Sequence, residues 1–136
     1  MAYWLFKEES THYSFADLER DGHAVWSGVT NAVALQNLRK TAKGDQVLYY
    51  HSGKEKAIVG VAEIVKAAYP DPAEKDEKLV VVDIKPVRRL ARPVTLAEIK
   101  AEKTFAEWEL VRISRLSVMP VSPAHWRRIE ELSRSK

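Results

Sequence analysis

Five segments of strand length, separated by short helical patterns, constrain the fold of this chain more than any other feature. They are Tyr3–Phe6, Gln46–His51, Ala57–Tyr69, Leu79–Leu90 and Val111–Val118. The first, second and fourth contain continuous apolar runs, which are typical of strands buried on both faces. The fifth alternates apolar and polar residues, as a half-buried strand does. This pattern predicts an α+β domain: a small curled mixed sheet or barrel with helices around it.

Irregularities are expected within two of these strands. Gly60 predicts a bulge or a close backbone approach, because a glycine inside a strand has no side chain to pack. Because Pro86 lacks a backbone N–H, the second half of its strand is expected to lie at a sheet edge or to contain a bulge.

Helix starts are marked by residues that suit the N-cap position. The predicted caps are Ser14 with Asp17, Asn31, Thr95 with Glu98, and Ser122 before Pro123. The helix after Asn31 is expected to run to about Thr41, and Phe105–Glu109 is expected to form a further helical turn. Trp126, Ile129 and Leu132 form an apolar stripe on the last helix, which places Trp126 in the core.

Composition excludes several classes of site. The 136 residues predict one domain spanning 1–136, and the absence of cysteine excludes disulfides, thiolate metal sites and cysteine nucleophiles. The four histidines do not have metal-ligand spacing, and the five glycines form no phosphate loop. No signal peptide is recognisable, and no apolar run approaches the roughly 20 residues that span a bilayer. We therefore expect a monomeric cytoplasmic protein with no cofactor, no metal and no membrane contact.

The net charge of +3 is unevenly distributed. Residues 1–84 contain 10 Lys/Arg and 13 Asp/Glu, whereas residues 85–136 contain 12 and 6. A basic half is compatible with a polyanionic partner, although many basic domains bind no nucleic acid.

Trp26 lies beside small and turn-forming residues in the segment Trp26-Ser27-Gly28-Val29-Thr30-Asn31. An indole needs apolar cover or a flat partner, and Ser27 and Gly28 supply neither. Two interpretations follow: Trp26 folds back onto the core, or it forms one wall of a pocket for a flat ligand such as a nucleobase.

Polar groups that suit a nucleobase occur in two further segments. Tyr49-Tyr50-His51-Ser52 ends a strand in two hydrogen-bonding side chains, and Arg112, Ser114, Arg115 and Ser117 lie along the last predicted strand. Together with Trp26 they offer a stacking surface, polar readers and cations, which recognition of an extruded or single-stranded base requires.

Two alternative functions remain open from the residues alone. One is an enzyme acting on a small nucleotide or nucleic acid, with His51, Ser52 and Glu8 or Glu9 as candidate catalytic groups. The other is a protein-interaction module that receives a peptide at a barrel edge.

The chain resembles the EVE-domain family along nearly its whole length. The matching motifs occur in family order: Tyr3–Lys7, Trp26–Asn31, Gly44-Asp45 leading to Tyr50–Ser52, Val59–Ala62, Tyr69–Asp71, Pro93–Leu96 with Ile99-Lys100, and Ser114–Val118 with Pro120. The resemblance implies a PUA-like fold, a curled mixed β-barrel of five to six strands with flanking short helices. It also implies a non-enzymatic reader of modified nucleobases in DNA or RNA, related to the YTH modules that read methylated adenine.

The resemblance also implies a set of site residues. The base-binding set is Lys7, Trp26, Ser27, Asn31, His51, Ser52, Ser114, Arg115, Leu116 and Ser117. Phosphate contacts are predicted at Arg39, Arg88, Arg89 and Arg112. The chain departs from the family where Glu8-Glu9-Ser10 replaces a Ser-Glu-Pro pattern, and where Thr30 and Gln36 replace arginines. We therefore expect the phosphate grip to come from the basic C-terminal half.

Overall fold

One six-stranded mixed sheet organises the computed structural model, which describes residues 2–134. The strands are β1 (Tyr3–Glu9), β2 (Ala24–Trp26), β3 (Gln46–Ser52), β4 (Ala57–Pro70), β5 (Val80–Thr95) and β6 (Val118–Val121). Their order across the sheet is β2-β5-β4-β3-β1-β6, in which β1 and β3 are parallel and the other pairs antiparallel. The outermost positions of the predicted domain, 1, 135 and 136, lie outside the described residues.

The predicted α+β class, with a mixed sheet of five to six strands, is confirmed. The sheet is open, with β2 and β6 as its edges, so hydrogen bonding does not close it into a barrel. The three-residue strand β2, which contains Trp26, was not anticipated from the sequence.

The helices are α1 (Phe15–Asp21), α2 (Ala32–Lys40), α3 (Leu96–Lys100), α4 (Glu109–Arg112) and α5 (Pro123–Arg134), with a 3₁₀ turn at Lys103–Phe105. All four predicted caps are confirmed by hydrogen bonds. Ser14 and Thr95 each complete a capping box, Asn31 accepts from the Ala34 N–H, and Ser122 accepts from the His125 N–H. None of these helices is long and apolar enough to cross a membrane. Trp126 is buried and stacks on Tyr3, so its predicted core position is also confirmed.

The predicted strand Val111–Val118 is wrong. The chain forms α4 and a turn there, and pairing with β1 begins only at Val118. The carbonyl of Trp108 accepts from both Val111 and Arg112, so these backbone groups find partners locally rather than in a sheet. As a result Ile113 is 47% exposed instead of facing the core.

Both predicted strand irregularities are present. A side chain at Gly60 would place its Cβ 2.6–2.7 Å from the ring of the fully buried Phe15, so helix α1 packs directly on this glycine. The β4–β5 register also shifts next to Gly60. Pro86 and Arg88 oppose consecutive residues of β4, so Val87 between them is the extra residue of a bulge.

The free edge of β6 is covered by side chains from elsewhere in the chain. Lys7 donates its backbone N–H to Ser117, so by alternation the carbonyls of Val118 and Pro120 face away from β1. The Asn37 side chain donates to Val118 at 2.8 Å and the Trp108 indole donates to Pro120 at 3.1 Å. Pro120 itself has no N–H to offer. This edge is therefore poorly suited to accept an added peptide strand.

Asp45 ties the start of β1 to the start of β3. Its buried carboxylate accepts hydrogen bonds from the Ala2 N–H, the Trp4 indole and the Ala42 N–H at 2.9–3.0 Å. Burial alone would raise the pKa of Asp45, but these three donations outweigh it and hold the pKa below its usual value. The ionised carboxylate therefore belongs to the folded state.

Replacing Glu98 by glutamine is expected to flatten the acid sensitivity of the fold. The fork of Arg92, together with hydrogen bonds from Thr95, lowers the pKa of Glu98 from 4.5 to about 2. This stabilisation is complete above the unfolded pKa and is lost as the pH falls from 4.5 towards 2. Because both partners are about one-third exposed, solvent screening reduces the effect to about 1 kcal/mol.

The measurement is urea unfolding at pH 7 and pH 3. Glu98→Gln keeps a capping side chain but removes the charge, so it should be less stable than wild type at pH 7. The difference should be smaller at pH 3, where part of the stabilisation by the ionised carboxylate has been lost. Glu77→Gln, in the exposed β4–β5 connection, is the control and should behave as wild type at both pH values. Equal pH dependence in all three proteins would contradict the assignment.

Candidate functional site

Two neighbouring cavities meet at Lys7. The first, called here the Trp26 cavity, has a volume of about 280 Å³ and is lined by Lys7, Glu8, the loop Trp26–Asn31, Arg115 and Ser117. The second, the Ser52 cavity, has a volume of about 310 Å³ and is lined by Lys7, Tyr50, Ser52, Gly53, Lys56, Leu96, Lys100, Leu110, Val111 and Ser114. The structure thus brings most of the predicted base-binding residues to one region but divides them between two cavities.

Lys7 is the wall between the two cavities. It lies on β1 directly opposite Tyr50, and its Nζ is 5.6 Å from the centroid of that ring. The Nζ donates to the Ser114 carbonyl at 3.0 Å, and the Lys7 backbone N–H donates to Ser117 at 2.9 Å. Burial lowers the pKa of Lys7. The ammonium is therefore half desolvated, and no carboxylate of the described residues lies within ion-pair distance of it.

Trp26 is both a core residue and part of a cavity wall, the two positions considered from the sequence. Only 5% of the residue is exposed, and its ring lies 5.3 Å from Phe6 and 5.5 Å from Tyr49, so most of it belongs to the core. Its remaining surface lines the Trp26 cavity and, on another side, a cavity of about 330 Å³ that also contains Glu8 and Asp21. The indole offers a ligand a narrow contact rather than an open stacking face.

The loop after Trp26 is shaped by Gly28 and Asn31. Gly28 has φ +81°, a left-handed conformation that favours glycine. The Asn31 side-chain oxygen accepts from the Ala34 N–H and so begins α2. This leaves its amide N–H₂ with no partner among the described residues, at the wall of the cavity.

The segment Ser114–Ser117 is divided between several environments. Ser114 lines the Ser52 cavity, while Arg115 and Ser117 line the Trp26 cavity. Leu116 is 3% exposed and anchors the turn in the core, where it also touches a groove of about 90 Å³ next to Arg115. Leu116 therefore positions its neighbours rather than facing either main cavity.

His51 lies apart from both cavities. Its Nε2 accepts from the Phe15 N–H at 3.0 Å, so Nδ1 carries the proton and donates to Glu55 at 2.6 Å. The ring is buried and holds the start of α1 against β3. Ser52 follows it on the strand and points to the opposite face, since successive strand side chains alternate. The structure does not bring His51 and Ser52 together as a base and a nucleophile.

The four arginines predicted to contact phosphate do not line either cavity. Arg88 pairs with Glu130 at 3.1 Å, Arg89 with Glu19 at 2.7 Å, and Arg112 with Glu107 at 3.5 Å. Arg39 donates to the Lys78 carbonyl at 2.6 Å. It is eight residues from Asn31, or about 12 Å along α2 at the rise of an α-helix.

Three other cations occupy the cavity walls instead. Arg115, Lys56 and Lys100 have no carboxylate within ion-pair distance among residues 2–134. The family resemblance predicted Arg115 as a site residue, but not Lys56 or Lys100, although Lys100 lies in one of the matching motifs. These two are brought together by a hydrogen bond from the Leu96 N–H to the Lys56 carbonyl at 2.8 Å, which joins the β3–β4 hairpin to the start of α3.

No three His, Asp or Glu side chains within residues 2–134 are grouped as metal ligands would be. The site is instead the surface of an open mixed sheet with two small cavities, each bordered by cations that have no carboxylate partner among residues 2–134. The fold is that of an α+β domain built on an open six-stranded mixed sheet with flanking helices. More narrowly, the chain belongs to the EVE family, since the EVE domain matches residues 2–132.

Relatives and solved structures support this membership. Thymocyte nuclear protein 1 of Gallus gallus is 34% identical over 72% of this chain, which spans about half (51%) of that relative's length. The NMR structure of Rpa0253 from Rhodopseudomonas palustris is 41% identical, with a TM-score of 0.93 over 98% of this chain and 93% of that one. The human THYN1 protein in complex with DNA containing 5-methylcytosine is 28% identical, with a TM-score of 0.92 over 100% and 99%.

Proposed function

We propose that this protein is a non-enzymatic module that binds a modified nucleobase of DNA or RNA in the Trp26 cavity. The observation that carries the proposal is the composition of that cavity: its lining includes Trp26, Asn31 with an unpartnered amide, and the cations Lys7 and Arg115, which have no carboxylate partner. Its volume of about 280 Å³ is at the lower end for small-molecule sites, which suits a single base.

The energetics favour a ligand whose base is already accessible. Stacking of a base on a fully presented aromatic is worth about 1–3 kcal/mol, and extruding a base from a duplex costs a few kcal/mol. Trp26 presents only a small part of its ring, so it contributes the low end of that range. Hydrogen bonds to the base edge and phosphate contacts must supply the rest, which makes binding dependent on salt.

The arrangement of polar groups supports binding rather than catalysis. His51 has both ring nitrogens engaged on the far face of β3 from Ser52, and Glu8 is paired with His12 at 3.1 Å. A peptide at the β6 edge is disfavoured by the side chains of Asn37 and Trp108. Cytoplasmic location and monomeric state stay predictions.

The direct test is an anisotropy titration with short labelled oligonucleotides. The probes are single-stranded and duplex DNA containing 5-methylcytosine, RNA containing N6-methyladenosine, and their unmodified counterparts. The similarity to a structure holding 5-methylcytosine DNA makes that base the first probe. Tighter binding to at least one modified probe supports the proposal, and equal or undetectable binding to all of them rejects it.

Replacing Arg115 by glutamine is expected to weaken oligonucleotide binding by about 10-fold or more. The guanidinium lines the Trp26 cavity without a carboxylate partner, and a hydrogen bond to a charged group is worth about 1.5–3 kcal/mol. If Arg115 contacts a phosphate, the slope of log affinity against log salt should also fall by about 0.7 for single strands.

Arg88→Gln is the matched control for Arg115→Gln. It removes the same charge from a residue predicted to contact phosphate, but Arg88 pairs with Glu130 and lies outside both cavities. Its affinity should stay within about twofold of wild type. If Arg88→Gln lowered the affinity as much as Arg115→Gln does, the phosphate contacts would be assigned to the arginines predicted from the sequence.

A further inference from the structure

The charged residues that line the Ser52 cavity are all positive. Lys7, Lys56 and Lys100 line it, and no aspartate or glutamate is among its lining residues. The neighbouring cavities differ, since Glu8 contributes to the Trp26 cavity, and Glu8 and Asp21 to the cavity on the other side of Trp26. A concave surface whose charged lining residues are all cations concentrates anions.

The three lysines are also free to take an anion. None of them has a carboxylate within ion-pair distance among the described residues, whereas many exposed arginines of this chain do. Lys7 is half-buried, and a desolvated ammonium is stabilised by an anionic partner. Ser52 and Ser114 add hydroxyl donors to the same wall.

The hairpin that carries Lys56 is held in an uncommon conformation. Lys56 has φ +48°, a left-handed backbone that few residues other than glycine adopt, and within residues 2–134 it is the only residue other than glycine with a positive φ. Its carbonyl is fixed by the Leu96 N–H at 2.8 Å. This bond sets the hairpin against α3, whose last residue is Lys100, so the two lysines face one cavity although 44 positions separate them.

We propose that the Ser52 cavity is a phosphate-binding subsite, which takes a phosphate group of the nucleic acid whose base lies in the Trp26 cavity. This inference rests on the proposed function, because Lys7 borders both cavities and they therefore adjoin. The ligand would run from the Trp26 cavity across Lys7 to the hairpin. The recognised phosphate belongs either to the captured nucleotide or to a neighbour in the strand.

The test compares two double variants that each remove two charges. Lys56→Gln/Lys100→Gln alters the subsite, and Lys54→Gln/Lys75→Gln alters exposed lysines outside both cavities, the first of them on the same hairpin. All four lysines are exposed, so both proteins should melt near the wild-type temperature. The probe is a single-stranded DNA with one 5-methylcytosine, titrated at several salt concentrations beside its unmodified counterpart.

The subsite variant is expected to bind the oligonucleotide about 10-fold more weakly than the control, with a salt slope lower by about 0.7 for each phosphate that the protein no longer neutralises. The ratio of affinities for modified and unmodified DNA should be the same as in wild type, because the base contacts are untouched. A second titration compares 5-methyldeoxycytidine with its 5′-monophosphate. Weaker binding confined to the oligonucleotide assigns the phosphate to a neighbouring nucleotide, and weaker binding of the monophosphate assigns it to the captured one.

The inference is overturned if the subsite variant binds like the control, or if its affinity falls equally for the nucleoside without phosphate. Failure of the proposed function gives a different result. In that case wild-type protein would not distinguish modified from unmodified DNA, whatever the lysine variants do.

Discussion

Replacing Asp45 by alanine is expected to lower the free energy of unfolding by about 3–5 kcal/mol. The substitution leaves the Trp4 indole N–H and the Ala2 and Ala42 backbone N–H groups without their acceptor. Each buried donor that loses its partner costs about 1–3 kcal/mol, and water can reach the two half-buried backbone groups in part. Because a domain is stable by only about 5–15 kcal/mol, urea unfolding should show this loss clearly.

Two further variants separate the acceptor role of Asp45 from its charge. Asp45→Asn retains one side-chain oxygen and should fall between alanine and wild type. Asp76→Ala removes a carboxylate that caps an exposed backbone N–H of Lys78, and should change stability by less than about 1 kcal/mol. An Asp45→Ala protein as stable as Asp76→Ala would show that the three donors find other partners.

Asp45 also acts on the site through β1. Its bond to the Trp4 indole fixes the start of that strand beside β3, and further along the same strand Lys7 lies opposite Tyr50. The register that Asp45 helps to set therefore places the Lys7 ammonium between the two cavities. Asp45, which belongs to one of the matching family motifs, therefore helps to position Lys7 although it lines neither cavity.

Local features of the fold were predictable because their causes are local. The caps at Ser14, Asn31 and Thr95 depend on a side chain reaching backbone groups three residues away, and all three form. Gly60 and Pro86 interrupt strand geometry through their own backbone chemistry, and both lie at irregularities of β4 and β5. The residues that determine a helix cap or a strand irregularity lie within a few positions of it in the sequence.

The failure at Val111–Val118 has a tertiary cause. The alternation of apolar residues there is also compatible with a short helix and a turn, in which Leu116 and Val118 are buried and Ile113 is not. The pairing partner decides between these structures, since β1 reaches β6 only over Val118–Val121. Periodicity over eight residues does not carry that information.

The sequence also did not predict which lysines and arginines form ion pairs and which line the cavities. Glu19 and Glu130, which neutralise Arg89 and Arg88, lie 70 and 42 positions away along the chain. Phosphate contacts were therefore predicted at arginines that the fold uses in ion pairs. Motif order located the Trp26 loop and Arg115, but Lys56 and Lys100 meet only through the contact between the hairpin and α3.

Replacing Trp26 by alanine is expected to cost about 3–5 kcal/mol of stability, since removal of a buried aromatic leaves a cavity beside Phe6 and Tyr49. Much of the domain's stability would be lost, so weaker binding by this variant would not identify a ligand contact. Trp26→Phe is the informative substitution. It keeps an aromatic ring in the core but removes the second ring of the indole, at a cost of about 1–2 kcal/mol.

Trp126→Phe provides the matched control for Trp26→Phe. Trp126 is also 5% exposed and packs on an aromatic ring, with its centroid 4.4 Å from that of Tyr3, but it lies on α5 outside both cavities. The two variants should lose similar stability in urea unfolding, whereas only Trp26→Phe should lose affinity for the modified oligonucleotide, by up to about 5-fold. Equal affinities would assign Trp26 to the core alone and leave base recognition to Asn31, Arg115 and the loop between Trp26 and α2.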